Sequence, residues 1–400
     1  MLPKNPATDP NEVSVWHFGQ HHLLFLMAMI STLLALPAMA SAPSIPDIHT
    51  AESEQHYDYQ LFAKGITIPW GMTWLDDKRL LVTNRKGELH LIDDGRLVPT
   101  TISGLPEVHS RGQGGLLDII KDPDYRNNGW LYFSYAGSEG KGAGANTSIM
   151  RARLDGLTLT NQQLLFDGTP NTRASKHYGS RLAFDRAGHL FFSIGDRGDR
   201  DKYPQDLNFD AGKIHRIHPD GSIPADNPFA QQANARSSIY SYGHRNPQGM
   251  ATHPVTGDIW IHEHGPRGGD EINIIRPGAN YGWPVVTYGI NYIGTKITDE
   301  TSRPGMQQPE WVWTPSIAPS GMVFMTSDRY PEWQGNLIAG SLKFNYLIML
   351  ALEGDRVVGH SKLFEGIGRV RSLTLGPDGY LYVGTDGSGI FKVVPKHNNQ

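Results

Sequence analysis

The residues best suited to chemistry in this chain stand just ahead of short apolar runs. His177 lies in Ser175-Lys176-His177-Tyr178-Gly179-Ser180-Arg181, immediately before Leu182-Ala183-Phe184. An imidazole titrates near working pH, so a histidine held at such a position is suited to act as a general base. The chain has 17 histidines, so residue type alone selects none of them; position and company single out His177. The densest polar stretch is Tyr242-Gly243-His244-Arg245-Asn246-Pro247-Gln248-Gly249. Its glycines and proline make a stiff turn presenting a guanidinium fork and two amides, which suits an anionic, carbonyl-rich ligand. The same turn also suits Arg245 and Asn246 satisfying local backbone groups. Residues 263–273, EHGPRGGDEIN, offer Asp270, Glu271 and Gly-Pro backbone carbonyls. These are hard oxygen donors of the kind Ca²⁺ takes, although no EF-hand spacing is present and a solvated acidic turn fits equally. Gln113, in Arg111-Gly112-Gln113-Gly114-Gly115, precedes another apolar run with glycines that permit close approach of a ligand; a plain Gly-rich turn is the alternative. Lys343 and the pair Arg369 and Arg371 add three cations. Two residues apart, Arg369 and Arg371 share one face of an extended strand, facing either solvent or an anion.

Six repeated units must carry these residues. Residues 71–92, 116–135, 180–198, 249–265, 320–343 and 370–393 each combine an apolar strand, a Gly/Asp/Pro/Asn turn and a second alternating strand. Their spacing, 45 to 71 residues from start to start, predicts an all-β, six-bladed β-propeller of four-stranded antiparallel blades around a central channel. With 45 Gly and 27 Pro in 400 residues and 38% hydrophobic residues, the chain is rich in turns yet able to bury a core. No linker divides the repeats, so residues 55–395 read as one domain, with 396–400 as a tail. A formal charge of −4 with mixed signs argues against nucleic acid or an anionic membrane as partner.

The N-terminus reads as a targeting segment. Residues 23–36, LLFLMAMISTLLAL, form an uncharged apolar run, followed by Pro37 and the small-x-small sequence Ala38-Met39-Ala40. Residues 1–40 are thus a signal peptide and 41–54 a mature N-terminal segment, giving a periplasmic or secreted protein with no stable membrane association after cleavage. The n-region is weak, with Lys4 offset by Asp9 and Glu12, and a retained anchor is the alternative, though the run is short for a span. Cysteine is absent, which excludes disulfides, thiol chemistry and haem attachment through C-x-x-C-H.

No G-x-S-x-G, H-E-x-x-H, P-loop or Rossmann fingerprint is present, which argues against serine hydrolases, zinc proteases, nucleotidases and nicotinamide dehydrogenases. Cationic and amide donors together with oxygen ligands suit a small polyanionic quinone bridged to the protein by Ca²⁺. The ordered set GQGGLL, KHxGSRL, IGDRG, DGSIPxDNPF, GHRNPQG, EHGPxxxDEIN, NYGWP, SLK and RVR resembles the soluble aldose sugar dehydrogenases dependent on pyrroloquinoline quinone (PQQ), exported six-bladed propellers related to soluble glucose dehydrogenase. The likeness covers about residues 55–395, with the motifs in family order.

This resemblance implies oxidation of aldose sugars at C1 to the lactone, with His177 taking the proton of the anomeric hydroxyl and hydride passing to the quinone. Electrons would leave to an external acceptor. Gln113, Arg245, Asn246, Lys343, Arg369 and Arg371 would hold the carboxylates and carbonyls of PQQ, and Tyr292 with Ala318-Pro319-Ser320 would line its pocket. The carbonyls of Gly265 and Pro266 would bind the cofactor's Ca²⁺, and Glu271 and Tyr281 a second, structural Ca²⁺. Two departures bear on this. Lys176 stands where the glucose dehydrogenase branch has an acidic residue, so an orienting carboxylate must come from elsewhere, with Asp196 as the candidate. The segment from Tyr292 to Trp311 is short for that branch, which implies an open cleft and a broad range of aldoses. A Ca²⁺-dependent propeller lactonase or esterase, and a non-catalytic carbohydrate-binding propeller, are the competing readings.

Overall fold

The computed structural model describes residues 55–396; the expected signal peptide, the 41–54 segment and residues 397–400 lie outside the described residues. Strand β1 (Tyr57–Ala63) comes first in sequence but belongs to the last blade. Blade 1 is β2 (Pro69–Trp74), β3 (Arg79–Asn84), β4 (Glu88–Asp93) and β5 (Arg96–Leu97). Blade 2 is β6 (Leu116–Lys121), β7 (Trp130–Gly137), β8 (Asn146–Asp155) and β9 (Thr158–Asp167). Blade 3 is β10 (Leu182–Phe184), β11 (Leu190–Ile194), β12 (Lys213–Ile217) and β13 (Ile239–Tyr242). Blade 4 is β14 (Pro247–Thr252), β15 (Ile259–Glu263), β16 (Asp270–Ile274) and β17 (Trp311–Trp313). Blade 5 is β18 (Pro319–Phe324), β19 (Leu337–Ser341), β20 (Leu347–Glu353) and β21 (Arg356–Leu363). Blade 6 is β22 (Val370–Leu375), β23 (Leu381–Thr385), β24 (Gly389–Pro395) and, outermost, β1. All pairings within the blades are antiparallel, so the six-bladed propeller expected from the repeats is the fold.

Strict alternation fails in the second strands. LFFSI of β11, IWIHE of β15 and LIAGS of β19 are buried at every position. Each blade is covered on both faces by its neighbours, so its middle strands have no solvent side. The apolar core is accordingly divided among the blade interfaces. One cluster joins Leu81 and Leu89 of blade 1 to Leu131 and Phe133 of blade 2. Others join Tyr132 to Phe192, Phe191 to Ile261, Trp260 to Ile348, Ile338 to Val383, and Tyr382 to Leu80, one for each remaining interface.

Two devices hold the ring. The first is the pairing of β1 with β24, in register from Tyr57 opposite Pro395 to Ala63 opposite Ile390. Tyr57 locks this seam: its ring lies 5.1 Å from Tyr330 and 4.6 Å from Trp333, and its hydroxyl donates to Glu332 Oε2 at 2.7 Å. The second is Arg181, buried just ahead of β10. Its Nε donates to Gln248 O (2.7 Å), its Nη1 to Trp70 O and Asp118 Oδ1 (both 3.1 Å), and its Nη2 to Arg371 O (3.0 Å). The guanidinium carbon also lies 4.0 Å from the centre of the Trp70 ring. One side chain of blade 3 thus ties together blades 1, 2, 4 and 6.

Because first and second strands run antiparallel, the lead-in to the first strand and the exit from the second open on the same face of the ring. Gln113, His177, Arg245, Ala318 and Arg369 lead into first strands, while Asp196, His264, Lys343 and Asp386 follow second strands. This topology brings together motifs that are far apart in sequence.

Candidate active site

His177 is held in the left-handed region, φ 56°, in a turn that continues through Gly179 (φ 63°) and Ser180 (φ 82°). A non-glycine residue there carries strain, so the surroundings must enforce it. Gln113 Oε1 accepts from the His177 amide at 2.7 Å, and Asn246 Oδ1 accepts from the Gly179 amide at 3.1 Å. Arg197 donates to the carbonyls of Lys176 and Ala174 and lies over the Tyr178 ring at 3.4 Å, fixing the approach to the turn. Gly195 passes directly beneath, where a Cβ would meet His177 O at 2.4 Å.

Asp196 supplies the carboxylate that Lys176 cannot. Its Oδ1 lies 2.6 Å from His177 Nδ1 and accepts from Gly198 N at 2.7 Å, while its Oδ2 accepts from Trp283 Nε1 at 2.8 Å. Burial works against the Asp196 charge, but His177, Arg245 and the Gly198 amide outweigh it and hold its pKa below the usual carboxylate value. An ionised Asp196 fixes the proton on Nδ1 and leaves Nε2 as the basic nitrogen. Burial, reinforced by Arg245 and opposed by Asp196, lowers the His177 pKa below 6.5, so the ring is neutral at pH 7. His177 and Asp196 line a cleft of about 320 Å³ with Lys176, Arg200, Arg245, Pro266, Trp283, Asn291 and Tyr292. Arg200 Nη1 donates to Asn291 Oδ1 at 2.8 Å, joining two walls of that cleft, and Tyr292 stands 72% exposed.

The turn carrying Arg245 is built around Glu263, whose Oε1 is 2.8 Å from His244 Nδ1 and whose Oε2 accepts from Arg245 N at 2.7 Å. The Arg245 guanidinium donates to His264 O (2.9 Å) and Gly265 O (2.8 Å) and lies 5.4 Å from the Trp283 ring centre. Asn246 is fully buried beneath the His177 turn, and its Nδ2 has no hydrogen-bond partner. Lys343 projects from the exit of β19, its Nζ 3.3 Å from Ser316 O. Arg369 and Arg371 converge on Asp386, Arg371 through Nε (3.2 Å) and Nη2 (2.8 Å) and Arg369 through Nε (3.1 Å).

Ala318-Pro319-Ser320 forms the lead-in to blade 5. Ala318 has φ 52° and donates its amide to Asp270 Oδ2 at 2.8 Å; Pro319 O lies 2.6 Å from His264 Nε2; Ser320 Oγ donates to Val370 O at 2.5 Å. Asp270 Oδ1 also accepts from Gly265 N (2.8 Å), linking this segment to Gly265-Pro266. Glu271 and Tyr281 border one small void of about 10 Å³ together with Glu263 and Gly265. Burial and the facing charge of Glu263 push the Glu271 carboxyl up to about 8. The Tyr281 hydroxyl donates to Ile274 O at 2.5 Å and accepts from Arg276 N at 2.9 Å. Among the described residues no three His, Cys, Asp or Glu side chains group around a metal position.

Trp283 and Glu263 each position a site residue, yet the sequence offered them only as letters in NYGWP and EHGP. A donor to Asp196 from another blade leaves no spacing signal along the chain.

The fold is a propeller, and its site is a buried His–Asp pair opening on a cleft whose wall carries Lys176, Arg200 and Arg245. Residues 66–392 match the Glucose / Sorbosone dehydrogenase family, and the chain belongs to that family. It is 42% identical over 339 residues to an aldose sugar dehydrogenase of Escherichia coli (strain K12), covering 82% of this chain and 90% of the relative. The crystal structure of a soluble aldose sugar dehydrogenase from Escherichia coli in the apo-form matches with TM-score 0.79 at 39% identity, over 85% of this chain and 100% of the other. The PQQ-bound form of an aldose sugar dehydrogenase from Streptomyces coelicolor matches with TM-score 0.70 at 28% identity, over 85% of this chain and 98% of the other.

Proposed function

We propose that the protein oxidises aldose sugars at C1 to the lactone, using PQQ and Ca²⁺, and passes the electrons to an external acceptor. The observation that carries this reading is the 2.6 Å contact of His177 Nδ1 with an ionised, buried Asp196 in a cleft that Arg245 also lines. The residues present fit both groups. Arg369 and Arg371 share a single carboxylate and so keep excess positive charge for the quinone's carboxylates, and the buried Asn246 Nδ2 is a donor still without an acceptor. For Ca²⁺, the carbonyl oxygens of Gly268 and Gly269 each lie only 2.3 Å from where a Cβ at Gly265 would stand, so only glycine fits a turn that gathers backbone oxygens, hard donors of the kind Ca²⁺ takes. Gly265 and Pro266 would hold the cofactor's ion there; Glu271 and Tyr281 would serve a second ion.

When bound, the group supplies an electron-poor carbonyl able to accept the hydride. The rest is the work of the chain. His177 Nε2 takes the proton of the C1 hydroxyl, building electron density on that oxygen as the C1 hydrogen departs. Asp196 stabilises the imidazolium that forms and holds the ring in one tautomer, while Trp283 and Gly198 hold Asp196. Lys176 and Arg200 on the cleft wall lie within the space a sugar would fill.

Dye-linked oxidation of a panel of aldoses by purified protein, with and without PQQ and Ca²⁺, tests the reading. Activity requiring both additions supports it; inactivity together with no PQQ binding by calorimetry removes it in favour of a lactonase or a binding propeller. Residues 1–40, read as a leader, further suggest a periplasmic or secreted enzyme, and the absence of cysteine fits a separate carrier for the electrons.

The base must be neutral to work, and its pKa is depressed in the folded protein. Activity should therefore be present above the pKa and lost as pH falls through it. The acidic limb of kcat/KM is expected to have its midpoint below pH 6.5, with little change from there to pH 7.5. A midpoint above 6.5 would contradict the assignment of His177.

A further inference from the structure

Five blades give the site a side chain at the lead-in to the first strand or the exit from the second: Gln113 from blade 2, His177 from blade 3, Arg245 from blade 4, Lys343 from blade 5 and Arg369 from blade 6. The corresponding exit in blade 1 carries Arg85, one residue past β3, where no sequence motif draws notice. Its backbone is fixed on the site face. Arg85 N donates to Ile68 O at 3.1 Å, Ser110 Oγ donates to Arg85 O at 3.1 Å, and Gly115 of the Gln113 turn packs so closely that a Cβ there would stand 2.8 Å from Arg85 Cγ. The stem therefore starts out against the Gln113 turn.

The Arg85 guanidinium is half-buried and makes no hydrogen bond or ion pair with any described residue. Its neighbours are cations. Burial first, then the charge of Arg371 and more weakly that of Arg369, lower its pKa, with Asp386 alone pulling the other way. Asp386 is already engaged, by two bonds from Arg371 and one from Arg369. Arg369 and Arg371 thus already take both oxygens of the one nearby carboxylate, and Arg85 is left without one. A partly desolvated cation among like charges is unfavourable unless an anion completes the set.

Resting on the function proposed above, we propose that Arg85 is a further cofactor-binding residue: it grips a carboxylate of the quinone and completes the ring of site residues with a contribution from blade 1. The test is calorimetric titration of PQQ, with Ca²⁺ present, into the wild-type protein and the variants Arg85→Gln and Arg85→Lys, together with thermal unfolding of each protein without cofactor. Arg85→Gln is expected to weaken binding about ten- to a hundredfold, the range of a charge-assisted hydrogen bond, and Arg85→Lys to restore part of the loss. The cofactor-free Arg85→Gln protein is expected to unfold at the same temperature as wild type or higher, because like-charge repulsion is relieved. Equal affinity in wild type and Arg85→Gln overturns the role of Arg85 and leaves the proposed function standing. A wild-type protein that binds no PQQ overturns both. A lowered melting temperature in the cofactor-free variant, alongside weaker binding, makes Arg85 a structural residue and overturns the inference.

Discussion

His177→Gln is expected to lower aldose oxidation by about two to four orders of magnitude, the range for loss of a positioned general base, while PQQ binds with near wild-type affinity. Glutamine keeps roughly the bulk of the imidazole and cannot take a proton. Asp196 keeps its bonds from Trp283 Nε1 and Gly198 N, so its charge stays satisfied and the fold is preserved. The backbone contact from Gln113 to residue 177 does not depend on the side chain. Steady-state turnover and cofactor titration on the same preparation check this, and near-normal turnover would remove His177 from the chemistry.

The second large effect is structural. Arg181→Met is expected to cost about 3–5 kcal/mol of stability, because it strands a buried carboxylate, and three backbone carbonyls lose a donor as well. At about 2 °C per kcal/mol for a domain of this size, the melting temperature should fall by roughly 6–10 °C. Adding Asp118→Asn should recover only part of this. That change removes the stranded charge, but Trp70 O, Gln248 O and Arg371 O remain without their donor. A shift below about 2 °C in Arg181→Met would show that the ring does not depend on this residue.

The blades were legible in the sequence because each begins with an apolar run set off by turn residues. The 180–198 repeat contains both β10 and β11, and the 370–393 repeat contains nearly all of β22 to β24. Arg245, Lys343 and Arg369 drew notice in the sequence because each sits beside such a run, with Arg371 two residues further on inside β22. What could not be read were relations across blades. Arg181 was a letter in KHxGSRL, and its four-blade role depends on the channel axis, which no spacing encodes. Arg85 follows β3 in an ordinary turn, and its isolation among cations exists only once blade 6 is brought round beside blade 1. Asn246, expected to hold the cofactor, has a second connection that the sequence did not show: buried beneath the His177 turn, its Oδ1 accepts from the Gly179 amide and so also shapes the base's backbone. Alternation misleads for strands such as β11, because packing on both faces removes the polar side.

The seam between β1 and β24 bears on how the molecule is made. A ribosome delivers the blades in order, and blade 6 emerges last. That blade holds Arg369, Arg371 and Asp386, and it lacks its outermost strand until the first strand synthesised returns to it. Such a long-range closing contact is also the kind that forms slowly. A nascent or truncated chain thus lacks both the shut ring and the blade 6 cations Arg369 and Arg371, although Arg245 and Lys343 are already made. Competence for sugar oxidation should therefore arrive only with the last blade, late in the making of the chain.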